Sequence, residues 1–318
     1  MELAIQTPVQ LVEFGRLRAI WEVADEVGIG SAFTFDHLTA LAPGARPNAP
    51  GPEVRGPQLD GWMTAQALAA TTSRLRVGTL VTSVTHRRPG ILAKMVTTLH
   101  AISGGRAILG VGAGWHRREH DAFGLPFPPT GDRMTLLDEF LDAIRALFAA
   151  DGPCSYDGRF VQFRDAVLDP RPTDAQPLPI LVGGSGDRLR SIVARHADIY
   201  NGFWAPEQWA AINADLDARL RDAARQPGDL LRSAFVPSEL RVDRRLQDEF
   251  VNGQAESRGG SHADVRNRCI IAGGDPVAVL RRFHDAGVEQ VVLSLDPMTD
   301  PDELGSFAAD VVGAIADW

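Results

Sequence analysis

The stretch AKMVTTLHAISGGRAILGVGAGW, residues 93–115, contains a helical segment, a glycine turn and a short strand that ends among three further glycines. Residues 107–111 within it are apolar or small on both faces of the predicted strand. A strand without a polar face is typical of a parallel sheet that lies between a packed interior and an outer layer of helices. The stretch therefore predicts an α/β fold.

The same alternation of short strands and helices continues along the whole chain. Eight apolar strands are predicted, at residues 3–7, 32–35, 75–81, 107–111, 180–182, 199–203, 231–236 and 290–295. Eight helical segments are predicted, at residues 9–27, 62–72, 90–102, 134–149, 187–196, 206–224, 276–286 and 302–315. Strands that alternate with helices indicate βαβ units and a parallel sheet.

Eight strands and eight helices favour a closed barrel, so we predict a single (β/α)8 TIM-barrel domain over residues 1–318, with loop insertions. An open doubly wound sheet is the structural alternative. That fold usually has a glycine-rich turn directly after its first strand, where this chain has Thr7-Pro8-Val9. The insertions are expected near residues 42–58, 152–179 and 241–272. The second should contain a hairpin around Asp157-Gly158, and the other two are candidate lids.

The bulk properties exclude several classes of function. The chain has 318 residues and a formal net charge of −9, and an acidic surface disfavours nucleic acid or an anionic membrane as a partner. No apolar run approaches the ~18 residues needed to span a bilayer, and no secretion signal is evident. Cys154 and Cys269 form no Cys-x-x-Cys pair, so neither a zinc ribbon nor a disulfide framework is suggested. We expect a cytoplasmic protein whose partners are small molecules.

Candidate site residues follow the strands, because the carboxyl ends of barrel strands form the working face of this fold. Asp36 and His37 end the second strand. A histidine at this position can exchange a proton near neutral pH, and Asp36 could orient it or contact a cofactor. A hydrogen-bonded structural histidine is the alternative. Trp62 and Trp115 are candidate walls for a planar ligand, although Trp115 could simply pack.

Glycines mark three further strand ends. Residues 78–82 (GTLVT) permit an irregular end to the third strand, although an ordinary strand is the simpler interpretation. Residues 110–115 (GVGAGW) let a ligand approach the backbone closely, without the spacing of a dinucleotide-binding motif. Residues 180–187 (ILVGGSGD) run from a strand into a helix, whose free N–H groups and the Ser185 hydroxyl predict a phosphate site. A plain tight turn is the alternative there.

One further motif is typical of zinc-binding proteins. Residues 116–120 (HRREH) match the H-x-x-E-H zinc pattern, which would place His116 and His120 on one helical face. Two arginines would crowd a divalent cation, and no third ligand is evident. We therefore expect no metal site.

Five motifs in order resemble the luciferase-like monooxygenase superfamily, and most closely the F420-dependent oxidoreductases of actinobacteria. They are Asp36-His37, residues 78–89 (GTLVTSVTHRRP), residues 93–115, residues 123–133 (FGLPFPPTGDR) and residues 179–184 (PILVGG). The resemblance covers nearly the whole chain. It implies a (β/α)8 barrel that holds coenzyme F420, or alternatively FMN, in its mouth, and it implies a homodimer.

The resemblance also implies residue roles. A non-prolyl cis peptide is expected at Thr79–Leu80, give or take one residue, backing the ring of the cofactor. The cofactor-binding residues would be Asp36, Thr79, Leu80, Val81, Thr82, Ala113, Gly114, Trp115, Gly183, Gly184 and Ser185. His37 would be catalytic, moving the proton that accompanies hydride transfer at the deazaflavin C5, and Trp62 would line the substrate pocket.

One position departs from the family. Its sugar-phosphate dehydrogenases carry a glutamate shortly after the strand-four glycines, where this chain has Trp115, so that substrate is not assigned. Two alternatives remain open. One is a monooxygenase that uses reduced FMN and oxygen, and the other is a non-catalytic cofactor-binding protein.

Overall fold

The computed structural model describes residues 1–42, 45 and 51–318. Its strands are β1 (Glu2–Thr7), β2 (Ser31–Thr34), β3 (Arg76–Thr79), β4 (Thr82–Ser83), β5 (Ala107–Gly112), β6 (Cys154–Asp157), β7 (Gln162–Ala166), β8 (Ile180–Gly183), β9 (Ile199–Gly202), β10 (Leu231–Glu239), β11 (Ile270–Ile271) and β12 (Gln290–Ser294). Its helices are α1 (Phe14–Glu26), α2 (Gly61–Ala69), α3 (Pro89–Ile102), α4 (Arg117–Phe123), α5 (Thr130–Ala149), α6 (Asp187–His196), α7 (Pro206–Asp222), α8 (Arg244–Arg258), α9 (His262–Arg268), α10 (Pro276–Asp285) and α11 (Pro301–Ile315).

Eight of these strands close into a parallel barrel. The hydrogen-bonded order is β1, β2, β3, β5, β8, β9, β10 and β12, and β12 pairs with β1 to complete the circle. Each of the eight predicted strands overlaps one of them. The predicted α/β TIM barrel is therefore confirmed.

The barrel strands are buried on both faces, as their lack of a polar face predicted. In β1, Leu3 and Ile5 point outward and belong to the large apolar cluster beneath the helices. Ala4, between them, points inward and packs with Phe33 and Leu181 in a separate inner cluster. Successive side chains of a strand point to opposite faces, so one apolar strand supplies both cores.

The first helix begins later than predicted. Residues 9–13 are not helical: Gln10 forms a β-bridge with Gln58, and Leu11 has a φ of 55°, which an α-helix cannot contain. The Gln10 side chain also bonds the backbone N–H and carbonyl of Leu41, at 2.7 Å and 3.1 Å. These contacts attach both ends of the first insertion to the chain just after β1.

The three insertions differ in character. In the first, residues 43, 44 and 46–50 lie outside the described residues, and with them seven of the seventeen residues of the lid predicted at 42–58. The second contains the predicted hairpin, in which β6 pairs antiparallel with β7. The third was expected to be a long polar loop, but it folds into α8, α9 and β11 around a small apolar cluster that contains Val251 and Val265. Its helices were missed because each buries so few apolar side chains.

Within the described ranges, no helix combines the length and the apolar character needed to cross a membrane.

Candidate active site

The ends of β3, β5 and β8 converge at a non-prolyl cis peptide bond between Leu80 and Val81, in the predicted place. The chain re-enters the sheet as β4, which pairs with β5. The Val81 side chain packs against backbone that only glycine leaves open: a Cβ at either Gly112 or Gly183 would lie 2.9 Å from its methyl carbons. Gln6 donates a hydrogen bond of 2.5 Å to the Leu80 carbonyl. The predicted irregular end of the third strand is therefore present.

The four residues predicted to contact the cofactor here differ in accessibility. Thr79 and Thr82 are fully buried, and their hydroxyl oxygens lie 2.9 Å apart. Leu80 packs into the inner apolar cluster, whereas Val81 remains half-buried at the mouth. The two threonines therefore support the bulge from within, and Val81 presents surface to the mouth.

Trp62 lies behind this bulge. Its side chain is buried in the outer apolar cluster, and its indole N–H donates to the Thr82 hydroxyl at 2.6 Å. In this structure the indole is closed to a molecule in the mouth. Trp62 thus supports the strand end, which differs from the predicted role as a wall of the substrate pocket.

His37 extends from the end of β2 into the mouth, with 17% of its side chain exposed. Its Nδ1 lies 3.1 Å from both carboxylate oxygens of Glu119. Its ring meets the rings of Phe35 and Trp115 edge-on, each at a centroid distance of 5.4 Å. Glu119, Phe35 and Trp115 therefore hold the His37 ring in place, and part of its side chain remains exposed to the mouth.

Asp36 faces away from His37. It is buried, forms an ion pair with Arg87, and lies 3.9 Å from His86 Nδ1. Arg87 in turn bonds Asp60 at 2.7 Å. The expectation that Asp36 orients His37 is therefore corrected: Glu119 does so.

Two buried groups form the electrostatic centre of the site. Burial alone would lower the pKa of His86, but its interactions with Asp36 and Glu119 outweigh that effect and raise the pKa to about 9. Burial alone would raise the pKa of Glu119, but bonds from His37 and the Leu38 N–H and the nearby charge of His86 lower it below its usual range. At neutral pH, Glu119 is therefore a carboxylate and His86 an imidazolium.

Sequence reasoning missed the role of Glu119 and His86. Glu119 lies within the H-x-x-E-H motif, five positions after the last glycine that follows β5, and its place at the start of α4 was the available signal. Ligand atoms of His86, Glu119 and His120 lie within 4.8 Å of one another, a spacing compatible with a metal. His86 would have to lose its proton to become a ligand, and His120 Nε2 is already within 2.6 Å of the Thr85 hydroxyl. His116, the other histidine of the motif, packs against Trp115.

The glycine-rich end of β5 forms the neighbouring wall of the mouth. Ala113, Gly114 and Trp115 are all half-buried. Gly114 has a φ of +77°, and a Cβ there would lie 2.2 Å from the Ser83 hydroxyl. Only glycine allows the chain to turn this closely past β4.

The predicted phosphate turn follows β8. Gly183 is buried, Gly184 is half-buried and Ser185 is exposed, so the turn opens to solvent. Helix α6 begins directly after it, and its first N–H groups have no acceptor within the helix. A Cβ at Gly186 would meet no atom within 4 Å. There is therefore free space beside these donors.

Residues 1–249 match the family model of luciferase-like monooxygenases. The chain belongs to this family. The resemblance to the luciferase-like superfamily inferred from the five sequence motifs is confirmed.

Relatives and solved structures agree with this assignment. An F420-dependent glucose-6-phosphate dehydrogenase of Kineococcus radiotolerans is 31% identical over 304 residues, covering 94% of this chain and 84% of the relative. An uncharacterised protein of Mycobacterium tuberculosis is 40% identical over 141 residues, a match that spans about half of that relative's length (48%). A solved F420-dependent secondary alcohol dehydrogenase, in complex with an F420-acetone adduct, superposes with a TM-score of 0.83 over 99% of both chains at 17% identity. The superposition shows a shared fold.

Proposed function

We propose that this luciferase-like protein is an F420-dependent oxidoreductase that transfers a hydride between the deazaflavin C5 and a small organic substrate. The observation that carries the proposal is the His37–Glu119 pair beside the Leu80–Val81 bulge. Together they provide a proton-transfer group next to a site where the backbone can support a flat ring. The relatives named as F420-dependent dehydrogenases support the choice of cofactor.

Glu119 determines which nitrogen of His37 is available. Because the Glu119 carboxylate is ionised, it can only accept hydrogen bonds, so Nδ1 of His37 must carry a proton. Nε2 of the neutral ring then has the free lone pair. His37 is suited to accept the hydroxyl proton of an alcohol that is being oxidised, or to return that proton in the reverse direction.

The described residues fit the proposed cofactor. Val81, Ala113 and Gly114 offer half-buried backbone and small side chains on which a planar ring can rest. The turn is exposed at Ser185 and leads to the N–H groups at the start of α6, which can bind a phosphate. When bound, F420 would supply hydride transfer, and the protein would supply position and electrostatics.

Glucose 6-phosphate is not the proposed substrate. Trp115 stands where the sugar-phosphate dehydrogenases of the family carry a glutamate, and its ring meets His37 edge-on. An aromatic wall beside the proton-transfer group favours substrates with an apolar body.

The test combines fluorescence titration of F420 with turnover assays against a panel of secondary alcohols and ketones. We expect wild-type protein to bind F420, and His37→Ala to lower turnover by about 10²–10⁴-fold with little change in F420 affinity. His284→Ala is the matched control, because His284 lies on α10 and packs against Trp318, away from the mouth. Unchanged turnover in His37→Ala would remove His37 from the mechanism.

The same experiment separates the two alternatives. No binding of F420, combined with oxygen consumption in the presence of reduced FMN, would identify an FMN-dependent monooxygenase. F420 binding without turnover of any compound, unchanged by loss of His37, would identify a non-catalytic cofactor-binding protein.

The proposal includes a homodimer in the cytoplasm. Met63 on α2 and Ile91 on α3 are 65% and 61% exposed, and these neighbouring helices offer an apolar face for a two-fold interface. Cys154 and Cys269 are both free, in keeping with a reducing compartment. Light scattering tests the dimer: Met63→Glu combined with Ile91→Glu should yield a monomer, and an unchanged mass would exclude this face.

A further inference from the structure

A cavity of about 360 Å³ lies between the ends of β9 and β10 and the third insertion. Four aromatic rings line it: Phe203, Trp204, Phe235 and Phe283. Phe235 also packs against the inner apolar cluster, which includes Leu80 of the cis peptide bond and which Val81 likewise contacts. One ring therefore links this cavity to the strand end where the cofactor ring is proposed.

Two arginines, Arg258 at the end of α8 and Arg268 at the end of α9, line the same cavity. Among the described residues, no carboxylate lies within ion-pair distance of either guanidinium. Arg268 donates one bond of 2.7 Å to the Gly259 carbonyl, and its Nε is buried without a partner. By contrast, Arg266 on the same helix as Arg268 is paired and lies 3.3 Å from Asp248.

The nearest titratable groups leave this positive charge uncompensated. Burial raises the pKa of the Cys269 thiol to about 11, so the thiol is neutral at pH 7. Asp264 is exposed, and its carboxylate accepts bonds from the N–H and hydroxyl of Ser261, at 2.7 Å and 2.8 Å. Burial, and the charge of Arg268, lower the pKa of Arg258. Two like charges that converge on one apolar cavity destabilise each other unless an anion lies between them.

We propose that Arg258 and Arg268 bind the anionic group of the substrate, and that the substrate is an organic acid with an apolar or aromatic body. This inference rests on the proposed function, because the apolar part of the acid would lie along Phe235 and reach toward the Leu80–Val81 bulge, where the cofactor ring is proposed to bind. The aromatic lining suits an aryl or alkyl carboxylate. A sugar phosphate would leave its hydroxyl groups against apolar rings without partners.

The test measures binding of cinnamate and of its neutral analogue, methyl cinnamate, to the full-length protein by calorimetry. We expect wild-type protein to prefer the acid. Arg258→Gln and Arg268→Gln should each weaken cinnamate binding by about 10- to 100-fold, the effect of losing a charge-assisted hydrogen bond. Methyl cinnamate should bind all variants equally.

Two further variants control for folding. Arg266→Gln removes a paired arginine from the same helix, and its cinnamate binding should match the wild type. Arg268→Lys keeps the charge and should retain part of the affinity even if Arg268→Gln disturbs the bond to Gly259. Equal binding of acid and ester, no cinnamate binding at millimolar concentration, or equal losses in Arg266→Gln would overturn the proposal.

F420 titrations identify the source of the anion. If Arg258→Gln and Arg268→Gln weaken F420 binding and leave cinnamate binding unchanged, the arginines hold the acidic tail of the cofactor, and the substrate assignment is wrong. If wild-type protein fails to bind F420 but binds cinnamate through both arginines, the proposed cofactor fails while the acid site stands.

Discussion

Replacing Glu119 by glutamine removes one buried negative charge without changing the shape of the side chain. Glu119 accepts bonds from His37 and from the Leu38 N–H, and its Oε1 lies 3.4 Å from His86 Nε2. After the change, Asp36 is the only carboxylate among the described residues that is left near the His86 imidazolium, and it already pairs with Arg87. We expect the variant to fold but to be less stable than the wild type.

The magnitude follows from the pKa of His86. A rise from 6.5 to about 9 corresponds to roughly 3 kcal/mol of net stabilisation of the imidazolium by its two carboxylates, after the opposing effect of burial. The glutamine amide also bonds His37 and Leu38 less strongly than a carboxylate does. Glu119→Gln should therefore lower the free energy of unfolding by about 2–4 kcal/mol near pH 6.5.

The pH dependence gives the sharper test. Because the folded-state pKa of His86 is raised, its stabilisation is complete below pH 6.5 and is lost as the pH rises through about 9. The difference between wild type and Glu119→Gln, measured by urea denaturation, should therefore be largest near pH 6.5 and shrink toward pH 9.

Asp121→Asn is the matched control for this series. Asp121 lies on the same helix and pairs with Arg117 at 3.4 Å, but its side chain is 63% exposed. Its loss should cost no more than about 0.5 kcal/mol. A difference for Glu119→Gln that is as small as this control's, or one that does not change with pH, would refute the assigned charges.

Two further changes test the packing behind the site, again by urea denaturation. Gly110→Ala should lower the free energy of unfolding by more than about 3 kcal/mol or prevent folding, since the new Cβ would lie 1.8 Å from the Thr79 carbonyl oxygen. Gly253→Ala, whose new Cβ would meet no atom within 4 Å, should instead stabilise α8 by about 0.5–1 kcal/mol. Equal effects of the two alanines would contradict the close approach of β3 and β5. Trp62→Phe should cost about 1–3 kcal/mol by leaving the Thr82 hydroxyl without its indole donor, and a neutral result would show that this bond contributes little.

The position of the site was predictable from the sequence, but the contacts between its side chains were not. The end of β2 identified His37, and the glycines after β5 identified a wall of the mouth, because in this fold each strand end leads to the same face. Because Asp36 is adjacent to His37 in the sequence, it was a candidate for the group that orients the histidine ring. Its side chain instead points away from His37 into the protein, and the partner came from Glu119, 82 positions further along the chain.

The third insertion illustrates a second limit. The polar composition of residues 241–272 predicted a loop, because helical periodicity is visible only where a helix buries an apolar stripe. Helix α8 buries only Val251, and capping bonds from Asp243 and Ser261 begin α8 and α9. The cavity that these helices help to enclose was therefore invisible in the sequence.

The amino-acid sequence by itself determined the barrel, because strands that are apolar on both faces can be stable only between an inner core and an outer layer of helices. It also determined which strand ends carry polar and glycine residues. Only the tertiary structure decided which charges meet: His86 lies between Asp36 and Glu119, and Arg258 lies beside Arg268. The interaction energy of charged groups depends on their distance and burial, and neither is fixed by spacing along the chain.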